Sequence, residues 1–141
     1  MAEFTIRYTV DSEFDDVVDA TVDALADEGF GILCDVDVQA TLKEKLDEDF
    51  RNYRILGACN PPLAHEALSE EIELGALLPC NVIVYERDDG SVGVSAVDPA
   101  VMLSVVDNPD LDPIAEDVAE RMSAAIETLP GATRAPASAD D

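Results

Sequence analysis

Residues 53–86 read YRILGACNPPLAHEALSEEIELGALLPCNVIVYE, and the order of elements in this stretch decides the fold. YRILGAC, ending at Cys59, is a short apolar run of the kind that forms a strand. Asn60 is a good helix N-cap, because its side-chain oxygen can accept from a free backbone N–H in the first turn. Pro61 suits the first helical position, where a missing N–H costs nothing. The helix then runs through LAHEALSEEI, with Leu63, Ala64, Ala67, Leu68 and Ile72 turned inward, and Gly75 ends it. CNVIVYE returns as a strand. Arg87-Asp88-Asp89-Gly90 joins it to SVGVSAV, since Asp-Gly before a β run is a strong hairpin signal.

Upstream, Phe4, Ile6, Tyr8 and Val10 alternate with Glu3, Thr5, Arg7 and Thr9, the pattern of a half-buried strand. Asp11 or Ser12 can cap the helix that follows, whose apolar stripe is Phe14, Val17, Val18, Thr21, Val22 and Leu25. Gly29 closes that helix. FGILCDVDVQ reads as a strand with Phe30, Ile32, Cys34, Val36 and Val38 on one face, which makes Cys34 a core residue. ATLKEKLDEDF is a short helix. Downstream, AVMLSVVDN stays open between helix and loop. A last amphipathic helix begins at Pro113 and carries Ile114, Val118, Met122, Ala125, Ile126 and Leu129 before Pro130-Gly131 stops it. This order of strands and helices predicts an α+β domain, with a largely antiparallel sheet of about five strands and helices packed on one face. Residues 1–130 form one domain, and residues 131–141 are read as a disordered acidic tail.

The composition narrows the setting. The chain has 141 residues, 48% of them hydrophobic, which is enough to build a core despite the charge. It carries 32 acidic residues against 8 basic ones, for a net charge of −24. The acids are spread along the chain, so they coat a surface. Such a charge repels itself, and only salt relieves it: at molar ionic strength the Debye length falls to about 3 Å. A salt-rich cytoplasm is the setting this implies. No basic patch is present to meet phosphate, which argues against nucleic acid as a partner. No apolar run approaches the ~20 residues of a membrane helix, and the first residues lack the pattern of a secretory signal. An odd count of three cysteines argues against a disulfide framework.

Chemistry concentrates where the opening stretch begins and ends. Cys59 sits just before a helix cap. It reads either as a small packing residue or as a thiol activated by the helix N-terminus. Cys80 starts a strand, and Asn60 and Asn81 follow the two cysteines. His65, the one histidine in the chain, lies in the first turns of the same helix. Cys59, Cys80 and His65 would together make a soft site suited to zinc or copper(I), although neither Cys-x-x-Cys nor His-x-x-x-His is present. Asp35 and Asp37 lack the glycine and closing glutamate of a calcium loop. No phosphate-binding glycine loop occurs.

Tyr53-x-Ile55-Leu56-Gly57-x-Cys59-Asn60-Pro61, followed by Leu77-Leu78-Pro79-Cys80-Asn81-Val82-x-Val84-Tyr85-Glu86 and by Asp98-Pro99, resembles domain-of-unknown-function family 302 (DUF302). The resemblance spans roughly Thr5 to Leu129. It implies a small α+β fold and a homodimer, and it implies no activity. The family's motif positions correspond here to Cys59, Asn60, Pro61, Glu71, Gly75, Pro79, Cys80, Asn81 and Asp98.

Three functions follow from these readings. The first is a homodimeric binding module that holds a small ligand or a soft metal ion near Cys59 and Cys80, with Asn60, Asn81, His65, Glu71 and Asp98 as further candidate contacts. The second is a structural or protein-interaction domain with no small-molecule site. The third is a thiol redox protein built on Cys59. No residue set identifies a catalytic reaction, and the balance falls against an enzyme. The second Cys-Asn has no local role as a cap, and that favours a site.

Overall fold

In the computed structural model, residues 3–135 are described. Strand β1 (Thr5–Val10) buries Ile6, Tyr8 and Val10, as its alternation requires. Helix α1 (Phe14–Asp27) follows. Its N-cap is Glu13, not Asp11 or Ser12, and no side chain caps it; Asp15 and Asp16 instead place negative charge in the first turn, where the helix dipole favours it. The far end is tightly specified. Gly29 adopts φ +89°, its N–H donates to the Ala26 carbonyl at 3.0 Å, and the Phe30 N–H donates to the Leu25 carbonyl at 2.9 Å. This paired closure needs a left-handed residue and buries the next side chain against the helix, so Phe30 and Leu25 both enter the core.

Strand β2 (Gly31–Asp37) and helix α2 (Val38–Leu46) come next, with Asp37 accepting from the Ala40 N–H at 3.0 Å as the cap. Strand β3 (Tyr53–Cys59), helix α3 (Pro61–Glu70), a 3-10 segment (Ile72–Leu77) and strand β4 (Cys80–Glu86) complete the stretch quoted above. Helix α3 ends at Glu70 and not at Gly75. Glu71 is extended, and its carboxylate accepts from the Glu73 N–H at 3.3 Å, which starts the separate 3-10 segment. Ile72 is therefore exposed instead of inward. Strand β5 (Val92–Val97), helix α4 (Pro99–Ser104), helix α5 (Asp112–Glu127) and strand β6 (Ala132–Ala135) finish the chain. The open stretch after Pro99 is thus a short helix, capped by Asp98.

Among the described residues the sheet has six strands in the order β2-β3-β4-β5-β1-β6, and every neighbouring pair is antiparallel. The sixth strand comes from residues expected to begin a disordered tail. Gly131 turns the chain at φ +76°, and β6 pairs with β1, setting Arg134 opposite Tyr8. The Arg134 guanidinium lies 5.5 Å from the Tyr8 ring centre, a cation–π contact that fastens this edge. The rest of the expected tail, 136–141, lies outside the described residues.

Helices pack on one face of the sheet, and α1 and α5 bury Leu25, Met122 and Ile126 against Val82, Val84, Val92 and Val94. Cys34 is not part of this core. It is exposed, because β2 is an edge strand with a register shift between Ile32 and Cys34. The shift reverses the alternation. Ile32 stays paired with Ala58, whereas Cys34 pairs with Gly57 on the helix-free face. A Cβ on Gly57 would come within 2.5 Å of the Cys34 sulfur and 2.8 Å of Pro79 Cγ, so glycine is what lets these side chains lie flat there. No helix of the described residues is long and apolar enough to cross a membrane.

Candidate functional site

The excursion from Cys59 to Cys80 leaves the sheet and returns to it at one point. Ala58 and Cys80 are directly paired across β3 and β4, so the two cysteines lie at the base of one loop-and-helix flap. Helix α3 turns Leu63, Ala64, Ala67 and Leu68 toward the sheet, and the residues beneath them are Ala58, Cys59, Asn60 and Cys80. Met102 and Leu103 of α4 and Ile114 and Val118 of α5 close the far side. A cavity of about 340 Å³ lies between these walls. That size is in the range of small-molecule sites, which run from roughly 300 to 1,000 Å³. The α3 wall sets two small side chains between its leucines. Ala64 and Ala67 do not reach far enough to fill the space that longer residues would occupy.

The polar side chains of this lining are Cys59, Asn60 and Cys80. Cys80 is 8% exposed, and burial, reinforced by Cys59 beside it, pushes its thiol up to about 11. Near neutral pH it is a protonated S–H and a weak donor. Asn60 is equally buried and has a fixed orientation. Its Oδ1 accepts from the Leu63 N–H at 3.3 Å, and its Nδ2 would stand 3.0 Å from a Cβ on Gly29. Gly29 therefore both closes α1 and leaves room for the Asn60 amide. At the head of α3, Pro61 and Pro62 have no N–H, the Leu63 N–H meets Asn60 Oδ1, and the Ala64 N–H meets the Asn60 carbonyl at 2.9 Å. Of the donors that a helix start normally leaves free, those at Pro61 and Pro62 are absent and the one at Leu63 is used.

Of the sequence candidates, the cavity brings together Cys59, Asn60 and Cys80 and leaves out the others. His65 is exposed on α3 and does not line the cavity. Glu71 caps the 3-10 segment. Asp98 caps α4 by accepting from the Ala100 N–H at 2.9 Å, and its own N–H donates to the Phe4 carbonyl at 2.8 Å. Asn81 is exposed and pairs with Gly57, so the strand alternation points it away from Cys80. The expected metal set of Cys59, Cys80 and His65 does not assemble, because the helix carries His65 to its solvent side. Among the described residues no three His, Cys, Asp or Glu side chains converge as metal ligands.

Sequence reasoning missed the distant walls of the cavity. Ile114 and Val118 read only as the apolar stripe of the last helix, Met102 and Leu103 fall in the stretch open between helix and loop, and nothing local marks any of them as a cavity wall. Leu33 is different. It breaks the alternation of β2, and the same register shift that exposes Cys34 lets Leu33 reach the cavity while staying 67% exposed.

The fold agrees with what comparison finds. A solved structure, the crystal structure of an uncharacterized conserved protein DUF302 from Bacillus stearothermophilus, matches with a TM-score of 0.84 and 30% sequence identity. The match covers 89% of this chain and 98% of that one. No curated protein matches the chain. The family model described as Domain of unknown function DUF302 matches residues 6–129, and the chain belongs to that family.

Proposed function

We propose that this protein is a binding module that takes a small ligand into the cavity beneath α3. The observation that carries this reading is the convergence of Cys59, Asn60 and Cys80 on one apolar cavity of about 340 Å³. Interiors normally pack densely, so an apolar space of this size needs a reason. The chain provides its own reporters, because it has three methionines, of which Met102 lines the cavity and Met122 is fully buried in the core. Titration with 1-octanol, followed by methyl NMR in molar potassium chloride, should shift Met102 and leave Met122 in place. A Met102 signal that stays fixed up to saturating octanol would overturn the reading.

The redox alternative depends on a helix terminus that stabilises the Cys59 thiolate. Pro61 and Pro62 remove the donors nearest that end, and Asn60 takes the next two. A thiolate needs positive charge or free N–H groups beside it, and Pro61 through Ala64 offer no free N–H. The purely structural alternative explains the caps at Asn60, Glu71 and Asp98 but leaves the cavity without a role.

The module acts as a homodimer in a salt-rich cytoplasm on this reading. Support for the dimer comes from the helix-free face of the sheet, where Tyr53 and Tyr85 stack at 5.8 Å beside half-buried Ile55 and Ile83. Support for the salt comes from the net charge of −24. Light scattering should give twice the chain mass, and the thermal midpoint should rise as potassium chloride is raised to molar levels. A monomer, or a midpoint indifferent to salt, would remove the corresponding claim.

A further inference from the structure

Resting on the ligand-binding reading above, we infer that the ligand is uncharged: a neutral apolar molecule with at most one weak polar group, and neither an anion nor a cation. Three observations on the cavity lead to this. First, no Asp, Glu, Lys, Arg or His among the described residues lines it. An ion carried into such a space would lose its hydration and gain no charged partner, which costs several kcal/mol.

Second, the helix start that could have served an anion is blocked. The N-terminus of α3 stands at the cavity, beside Cys59 and Asn60, and helix starts are common sites for phosphate and carboxylate. Here Pro61 and Pro62 contribute no N–H, and Asn60 accepts from Leu63 and Ala64. No backbone donor from Pro61 through Ala64 is left for an incoming anion.

Third, the polar atoms that remain suit a neutral group. Cys80 holds its proton, and a buried S–H can donate weakly to a carbonyl, ether or hydroxyl oxygen. Asn60 Oδ1 already accepts from Leu63, so it offers a cation little. The protein's many carboxylates lie elsewhere on the surface, where they bear on solubility and not on this site. Selection against charge is thus built from the double proline, the cap and the apolar walls together.

A length-matched series tests the inference: 1-octanol, octanoate and octylammonium, each titrated against the intact protein in molar potassium chloride. At that salt the long-range field of the acidic surface is screened, so differences report the site itself. The Met102 methyl shift gives the affinity for each. We expect octanol to bind and both ions to bind at least about a hundredfold more weakly, the factor that follows from desolvating one unpaired charge. Octanoate or octylammonium binding as tightly as octanol would overturn the inference while leaving the cavity as a ligand site. If none of the three moves Met102, the binding reading itself fails, and the inference falls with it.

Discussion

The helix-covered face of the sheet has two halves that are built differently. Under α1 and α5, Leu25, Met122, Val84 and Val94 are completely buried, and β5 beneath them is buried at all but its last residue. Under α3 the cover is thinner. Ala64 and Ala67 face the sheet, β2 is exposed along most of its length, and the cavity remains between them. The first half has the density of an ordinary protein interior. The second has the same apolar chemistry without the side-chain volume. The contrast separates two jobs: one half supplies stability, and the other half is free to hold something.

The sharpest way to break this comparison is truncation on each side. Met122→Ala removes a side chain that is 0% exposed in the packed half and should cost about 2–5 kcal/mol. Leu68→Ala, at a wall that already borders open space, should cost roughly 1 kcal/mol, since the lost contacts are fewer. Denaturant unfolding in molar potassium chloride measures both, and equal losses would mean that the halves are not distinct.

A second test uses the Cys80 thiol. Its folded value of about 11 lies above the ordinary thiol value of 9.0, so the folded state keeps a proton that the unfolded state gives up. The stability this represents is fully present below pH 9 and is lost as pH rises from about 9 through about 11, roughly 2–3 kcal/mol in all. Cys80→Ala should flatten that part of the stability curve relative to the parent protein. An unchanged slope would place the thiol in a more solvated setting than the cavity wall described here.

The smallest effect belongs to the opposite face. Cys34 is exposed on the edge strand, so Cys34→Ala should alter stability by less than about 0.5 kcal/mol. In the folded protein a thiol reagent should modify Cys34 well before Cys80. Fast labelling of Cys80 would show that the flap from Cys59 to Cys80 opens readily.

Particular residues show how far local reading carries. The turn at Asp88-Asp89-Gly90, the cap at Asn60 with Pro61 behind it, and the glycine closure at Gly29 depend on neighbours a few positions away, and all three stand as read. The face of Cys34 does not stand as read, because a one-residue register shift against β3 reverses alternation and leaves no trace in composition. The strand at Ala132–Ala135 was equally hidden. Its four residues are small or polar, and they become a strand only because β1 presents an open edge and Tyr8 presents its ring to Arg134. The candidate site was half legible. Cys59, Asn60 and Cys80 came from one motif-bearing stretch, whereas His65, Asn81, Glu71 and Asp98 share that stretch or its motifs without sharing the cavity.

By itself the sequence determined the α+β class, the caps and turns that bound its elements, and the acidic surface, because each rests on local periodicity, backbone preference or net charge. Only the tertiary structure decided that Cys59 and Cys80 line one cavity, that His65 does not join them, and that Met102, Leu103, Ile114 and Val118 form its far walls. Those outcomes depend on strand register and on the distance between packed surfaces. Both quantities are set by residues dozens of positions apart, so no local pattern carries them.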